Sequence, residues 1–269
     1  MKTLEDKKIV SQKFNIANNH KIAVALSNGA YNSINKLFFF FLQEIIGMVK
    51  ESGLRGKGGG GASAGEKWEL MPLHNDQNIL AVNCDESEPG NFKDRQIISK
   101  DPHLLIEGII CTCYAIKSHV AYIYIRGEYK QFMDILQSAI DEAYDMGFLG
   151  DNIFGKNYKL DITIHRGAGA YICGEKSALL ESMEGKRGHP RLKPHKKEPE
   201  WYFGLPTLVN NVETVASVPY IINYGPNGYR SFGTEKSPGT LLFAMSGHVN
   251  NPGVYEAEFG VSMMDYINH

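Results

Sequence analysis

The chain has 269 residues, 43% of them hydrophobic and 22% charged, which is enough apolar matter for a normal core and excludes a disordered segment. Its formal net charge is -2, with Lys and Arg interspersed among Asp and Glu. Apart from one basic run near residue 190 there is no stripe for a phosphodiester backbone, so a nucleic acid partner is not expected.

The opening "MKTLEDKK" has neither the apolar stretch of a signal peptide nor the Arg- and Ser-rich character of a transit sequence, so the mature chain is expected to start there. Helical periodicity then runs from Ser33 to Ser52. It includes the apolar run Leu37 to Val49, which Gln43 and Glu44 interrupt and which is too short to cross a bilayer. A buried amphipathic helix is expected, with no direct membrane insertion.

"GLRGKGGGGASAGEKW" follows, with six glycines in the nine positions from Gly53 to Gly61. Such a cluster is either a flexible linker or a cradle that brings backbone close to a ligand. "GKGGGG" matches G-x-G-x-x-G, but a helix precedes it where a dinucleotide fingerprint needs a strand. A P-loop is excluded because Gly65 is followed by Glu66, Lys67 and Trp68. What remains is a loop of free N–H groups suited to anions, with Lys67 as a point charge for phosphate.

Next come a buried strand, Asn78 to Cys84, and the acidic turn "DESEPGN". Asp85, Glu86 and Glu88 suit hydroxyls and ring N–H groups as acceptors; the plain alternative is a solvated turn. A helix capped by Asp101 with Pro102 at its first position leads to a strand at "VAYIYIRG", a helix closed by Gly147 and a third strand at "LDITIHRGAG". Tyr171 and Glu175 stand at the turn into a further helix over "GEKSALLESMEG", whose N-terminus offers free N–H groups. The alternation predicts an α/β fold, a Rossmann-like parallel sheet with helices on both faces and ligands beyond the C-terminal strand ends.

From His189 a proline- and charge-rich stretch reads as a loop, Thr207 to Asn223 reads as a helix, and Thr240 to Glu258 alternates like a hairpin of a second unit. Cys84, Cys111, Cys113 and Cys173 show no Cys-x-x-Cys spacing, which suits buried thiols in a reducing compartment and predicts no metal or cluster site. Glycine backbone, carboxylates, an aromatic and a lysine at three strand ends describe a site for a phosphorylated, hydroxyl-bearing, planar cofactor.

"SGLRGKGG", "NCDESEPGNFKDR", "RGAGAYICGE", "ALLESMEGKRGHPRLKP" and "GLPTLVNNVETVA", in this order, resemble the FMN- and NADH-binding flavoprotein subunit of NADH:quinone oxidoreductase, respiratory complex I. The resemblance implies three regions: a helical segment over residues 1–52, an FMN- and NADH-binding α/β domain over 53–238 with a glycine-rich FMN loop, and the incomplete start of a β-grasp domain over 239–269. It implies that Gly56, Gly58, Gly59 and Lys67 line the flavin and its phosphate, with Asn83, Asp85 and Glu86 on the ribityl chain and ring. Tyr171, Gly174 and Glu175 would form the opposite wall, and Val209, Asn210, Asn211 and Thr214 the phosphate side. Glu88 would act as the catalytic group near the nicotinamide, with Lys176 and Lys193 facing the dinucleotide. The implied reaction is hydride transfer from NADH to FMN, after which electrons leave through iron–sulfur clusters.

The implied partners are peripheral-arm subunits, notably a thioredoxin-like 2Fe-2S subunit. The implied location is the cytoplasmic face of the inner membrane in a bacterium, or the matrix side in a mitochondrion. Ala62, Leu70 and Lys196 stand where the family has phenylalanines around adenine, and Lys176 stands where it has a glutamate. None of the cysteines matches a ligand of the family's 4Fe-4S cluster, so the chain is expected to stop short of that domain. Two readings follow: an NADH-oxidising flavoprotein, or a non-catalytic FMN-binding copy with a decayed dinucleotide pocket.

Overall fold

The computed structural model describes residues 8–74, 77–193, 195 and 197–268. Three short helices come first, α1 (Ile22–Ser27), α2 (Asn32–Leu37) and α3 (Leu42–Glu51). The single helix expected over Ser33–Ser52 is thus two. Four consecutive phenylalanines at helical spacing would point to every side of a cylinder, so no one face could bury them. The break at Phe38–Phe41 solves this: Phe38 packs edge-on against Tyr114 and Tyr158, while Phe39 and Phe41 remain 83% and 76% exposed. The Phe41 N–H donates to Glu44 Oε2 at 2.7 Å, which restarts the helix and turns Ile45, Ile46 and Val49 inward.

After α4 (Ala64–Trp68) the α/β alternation runs β1 (Asn78–Cys84), α5 (Asp94–Lys100), α6 (Pro102–Ala115), β2 (Ser118–Ile125), α7 (Lys130–Asp145), β3 (Asp161–Arg166) and α8 (Lys176–Met183). It continues through β4 (Glu200–Tyr202), β5 (Leu205–Asn211), α9 (Val212–Ala216) and α10 (Val218–Arg230). The five strands stand in the order β3-β2-β1-β5-β4, parallel throughout except for the antiparallel edge strand β4. Helices cover both faces. On one, α8 packs Leu179, Leu180 and Met183 against Ala81, Tyr124 and Val209; the other carries the main core, where Ile97, Ile106, Ile109 and Leu136 from α5, α6 and α7 lie buried. There α6 meets α9 closely enough that a Cβ on Gly108 would lie 2.3 Å from the Val215 carbonyl oxygen.

The helix expected over Thr207–Asn223 begins instead as a strand. Ile79 to Asn83 of β1 pair with Thr207 to Asn211, and only at Asn211, whose side chain accepts the Glu213 N–H, does helix begin. Thr207, Leu208 and Val209 are buried, as a central parallel strand requires. The proline-rich stretch likewise contains β4 rather than loop alone.

The expected hairpin is present as β6 (Thr240–Met245) and β7 (Gly253–Glu258), followed by α11 (Met263–Asn268). Its Glu256 carboxylate accepts N–H bonds from Ile9, Val10 and Ser11, and the Leu242 N–H donates to Glu213. No helix among the described residues is long and apolar enough to cross a membrane.

Candidate functional site

A cavity of about 990 Å³ opens at the C-terminal ends of the parallel strands, where a sheet of this topology presents ligand sites. Its walls are the glycine loop between α3 and α4, the turn after β1, the segment Tyr171–Glu175 after β3, Asn211 at the end of β5, and Leu241–Ala244 of the hairpin. Of the residues singled out from sequence, Gly56, Gly58, Gly59, Asn83, Asp85, Glu86, Glu88, Tyr171, Gly174, Glu175 and Asn211 line it.

The glycine loop is fixed at its base and bare at its tip. The Gly56 N–H donates to the Ala62 carbonyl at 2.8 Å, and the Lys57 N–H to Thr214 Oγ1 at 2.9 Å. Thr214 therefore holds the loop from below and does not face the cavity. Gly59, at φ +103°, adopts a backbone that L side chains rarely reach, and a Cβ there would meet nothing within 4 Å.

Across the cavity, Asn83 joins two walls: its Nδ2 donates to the Gly174 carbonyl at 2.8 Å and its Oδ1 accepts the Asp85 N–H at 2.9 Å. Burial lifts the Asp85 carboxyl above its ordinary range. Glu86 is engaged elsewhere, its buried carboxylate accepting from the Asp94 N–H at 2.8 Å, Arg95 Nε at 3.0 Å and the Tyr129 hydroxyl at 3.1 Å. It secures the start of α5. At the mouth the Tyr171 hydroxyl donates to Glu88, and that bond raises the phenol's pKa. Glu175 accepts the Ser177 and Ala178 N–H groups as cap of α8. Burial would raise its carboxyl, but the Ser177 and Ala178 bonds and the Lys176 charge hold it low.

Beneath the loop lies a charge network that sequence reasoning missed. Glu213, with a side chain fully buried, is 3.3 Å from Lys57 Nζ and 3.0 Å from Lys93 Nζ. Lys93 also pairs with Asp94 at 2.6 Å, and Asn211 Nδ2 donates to Asp94 at 2.7 Å. Burial pulls both ammonium groups down, but the surrounding acids outweigh it and hold both above the ordinary lysine value. Burial lifts Asp94 to about 6 despite Lys93. The one available signal was Lys57 inside the glycine run, since every other cavity-facing position of that run is apolar or arginine.

A second cavity, of about 360 Å³, lies behind the loop and contains Lys67, Lys176, Lys193 and Val209 together with Ala62 and Leu70. Lys67 thus stands apart from the first cavity. Ser63 caps α4, which swings Lys67 toward β5, where its ammonium donates to the Val209 carbonyl at 2.6 Å and Asn210 Oδ1 at 3.3 Å. The buried Asn210 Nδ2 has no partner among the described residues. Burial, helped by the Lys176 charge, lowers Lys67 to about 8. Lys176 is paired with Glu200. Lys196 lies outside the described residues.

The family profile described as the Nuo51 FMN-binding domain matches residues 49–220. This chain belongs to that family. It is 50% identical over 248 residues to an NADH-quinone oxidoreductase subunit of Aquifex aeolicus, an alignment covering 92% of this chain and 58% of that one. It is 48% identical to the mitochondrial NADH dehydrogenase [ubiquinone] flavoprotein 1 of Dictyostelium discoideum, over 88% of this chain and 49% of the relative. Among solved structures, an NAD+-reducing [NiFe]-hydrogenase in the H2-reduced state superposes with a TM-score of 0.81 at 35% identity, over 93% of this chain and 43% of that one. The chain spans about half the length of the curated relatives it matches.

Proposed function

We propose that the larger cavity holds FMN and that this chain is the flavin-bearing part of an NADH-oxidising subunit in a complex I-like assembly. The observation that carries this reading is the cavity floor, where Lys57 and Lys93 lie buried beneath bare glycine backbone at the C-terminal ends of parallel strands. The residues fit the cofactor. The volume of about 990 Å³ is that of a cofactor site, the space over Gly59 is open, and the acceptors Asp85 and Glu88 lie on the opposite side.

Bound there, FMN supplies hydride acceptance and the release of electrons one at a time. The loop N–H groups of Gly58 and Gly59, with Gly56, Lys57 and Asn211 around them, would hold its phosphate. Asn83 and Asp85 would accept from or donate to ribityl hydroxyls, and Gly174 and Glu175 would wall the ring. Glu88 and Tyr171 at the mouth would orient the nicotinamide of NADH, and the apolar hairpin residues Leu241 and Phe243 would exclude water. Burial raises the Cys111 and Cys113 thiols, which suits packing rather than ligation. In this reading electrons leave for iron–sulfur centres elsewhere in the assembly, such as a thioredoxin-like 2Fe-2S subunit of its peripheral arm, and residues 239–269 begin a β-grasp unit.

The test is a fluorescence-quenching titration of the purified chain with FMN, followed by anaerobic addition of NADH. Stoichiometric quenching and bleaching by NADH support the reading, and a chain that ignores FMN overturns it. The non-catalytic alternative draws on the second cavity, whose described lining has no Phe, Tyr or Trp, and flavin that binds but resists every nicotinamide nucleotide would establish it.

A further inference from the structure

The two cavities meet along the chain. Gly61 lines the first and Ala62 the second; Glu175 lines the first and Lys176 the second. The same two stretches of chain thus wall both cavities, and a ligand with its reacting end over a flavin in the first would have to pass over this shared wall to enter the second.

The described lining of the second cavity contains no Phe, Tyr or Trp. A nucleotide base has no ring to stack on there beyond His195, and such stacking is worth about 1–3 kcal/mol per base. What the cavity offers is cations. Lys67 enters from α4, Lys176 from the first turn of α8, and Lys193 and Lys197 from the segment before β4. The carboxylates facing them are Glu66, Glu198 and Glu200. Glu200 pairs with Lys176, and Glu66 with Lys197 at 3.5 Å. Among the described residues Lys67 makes no ion pair within 4 Å. Its ammonium rests on the Val209 carbonyl and the Asn210 amide, partly desolvated beside another lysine, and the amide nitrogen of Asn210 is itself without an acceptor there. Two donors left short of anionic or acceptor partners, in a pocket ringed by further lysines, call for an oxyanion.

We propose that the second cavity is a phosphate site that receives the 2′-phosphate of a dinucleotide, so that this chain takes NADPH in preference to NADH. This rests on the reading that the first cavity holds the flavin. Lys67 and Lys176 are the specificity-determining residues: the phosphate displaces Glu200 from Lys176 and gives Lys67 an anion in direct contact, where Glu200 now acts on it only from a distance.

Two measurements on the FMN-loaded chain test this and separate it from the flavin reading. In anaerobic bleaching, NADPH is expected to half-reduce the flavin at a concentration roughly tenfold or more below NADH, the worth of one charge-assisted hydrogen bond. In Lys176→Glu that ratio is expected to fall by at least tenfold. In calorimetry, adenosine 2′,5′-bisphosphate is expected to bind more tightly than 5′-AMP, with inorganic phosphate as a weak competitor. Near pH 8 its binding should take up protons, read from the dependence of the heat on buffer ionisation enthalpy, because the bound anion re-protonates Lys67. Equal or better bleaching by NADH, with the two adenosine nucleotides binding alike, overturns the proposal while leaving the flavin reading intact. Loss of flavin binding with tight, proton-coupled binding of the bisphosphate does the reverse.

Discussion

The two cavities are built from the same kinds of residue by opposite means. In the larger one the charges lie under the surface: Glu213 is shared by Lys57 and Lys93, and neither lysine is more than 7% exposed. In the smaller one, apart from the buried Lys67, they stand at the rim, where Lys197 and Glu66 face each other with 84% and 56% of their side chains exposed. Buried pairs fix backbone in one arrangement, because leaving either member alone carries a heavy desolvation penalty; exposed pairs exchange freely with water and ions. The difference teaches a division of labour, in which the first cavity recognises shape through a rigid floor and the second recognises charge through movable side chains.

The largest effect that could break this comparison is on stability. Glu213→Ala strands Lys57 in the interior, leaves Lys93 with Asp94 alone, and should cost about 3–5 kcal/mol in urea denaturation. A loss under about 1 kcal/mol would mean that the floor is not held by its charges.

The pH dependence of stability sharpens the contrast, because burial pushes one group in each cavity toward neutrality from opposite sides. Asp94, lifted from 3.8 to about 6, holds a proton in the folded state that the unfolded chain has lost, so stability should fall as pH rises through that window. Lys67, lowered from 10.5 to about 8, has lost in the folded state a proton that the unfolded chain keeps, so stability should rise between those values. Together they predict a trough between about pH 6 and 8, with limbs of roughly 1–3 kcal/mol. Asp94→Asn should shrink the acid limb, which Asp101, also lifted by burial to about 6, shares, and Lys67→Met should flatten the alkaline one, each measured against wild type by thermal denaturation across pH. A limb that survives its own substitution undiminished assigns it to another group.

A subtler probe is Gly174→Ala. The added Cβ would approach nothing closer than the Asp85 carbonyl oxygen at 3.5 Å, so the fold should tolerate it while the first cavity is narrowed. FMN affinity should weaken roughly tenfold in a quenching titration, with stability changed by less than about 1 kcal/mol. Unchanged affinity would place the flavin away from this wall. The smallest expected effect is Lys197→Ala, which should alter stability by less than about 0.5 kcal/mol, as loss of an exposed pair does.

Much of the frame was legible where local signals agree with burial. Strand β1 is an apolar run that ends in an acidic turn, and α6 announces itself through Asp101, whose side chain accepts the Leu104 N–H, followed by Pro102. Strand β5 was not legible, because "TLVNNVETVASV" carries no Gly or Pro between strand and helix; Asn211 ends the one and caps the other, and the helical spacing of the later residues spreads backward over the strand. The break in the phenylalanine run was hidden for a similar reason, since only the neighbouring Tyr114 and Tyr158 rings decide which phenyl turns inward. The walls of the first cavity were readable as glycines and carboxylates at strand ends. Its floor was not. Lys57 meets Ser217 across 160 residues and Lys93 meets Asn211 across 118, distances at which a sequence offers only scattered charges. Lys67 shows the converse, a residue of the right chemistry that a short helix carries to the other side of the loop.

Glu256 grips the backbone of Ile9 and Val10 across 247 and 246 positions of chain, and Leu242 closes over Glu213. In time rather than space, this makes the hairpin a later arrival than the sheet it touches. During synthesis the sheet can assemble as its strands emerge, but the buried acid under the glycine loop stays uncovered until β6 has left the ribosome, and the first residues stay without these partners until β7 has. Cofactor loading then waits until the hairpin has emerged. A ribosome stalled before Glu256 would display a formed sheet that cannot yet hold its ligand.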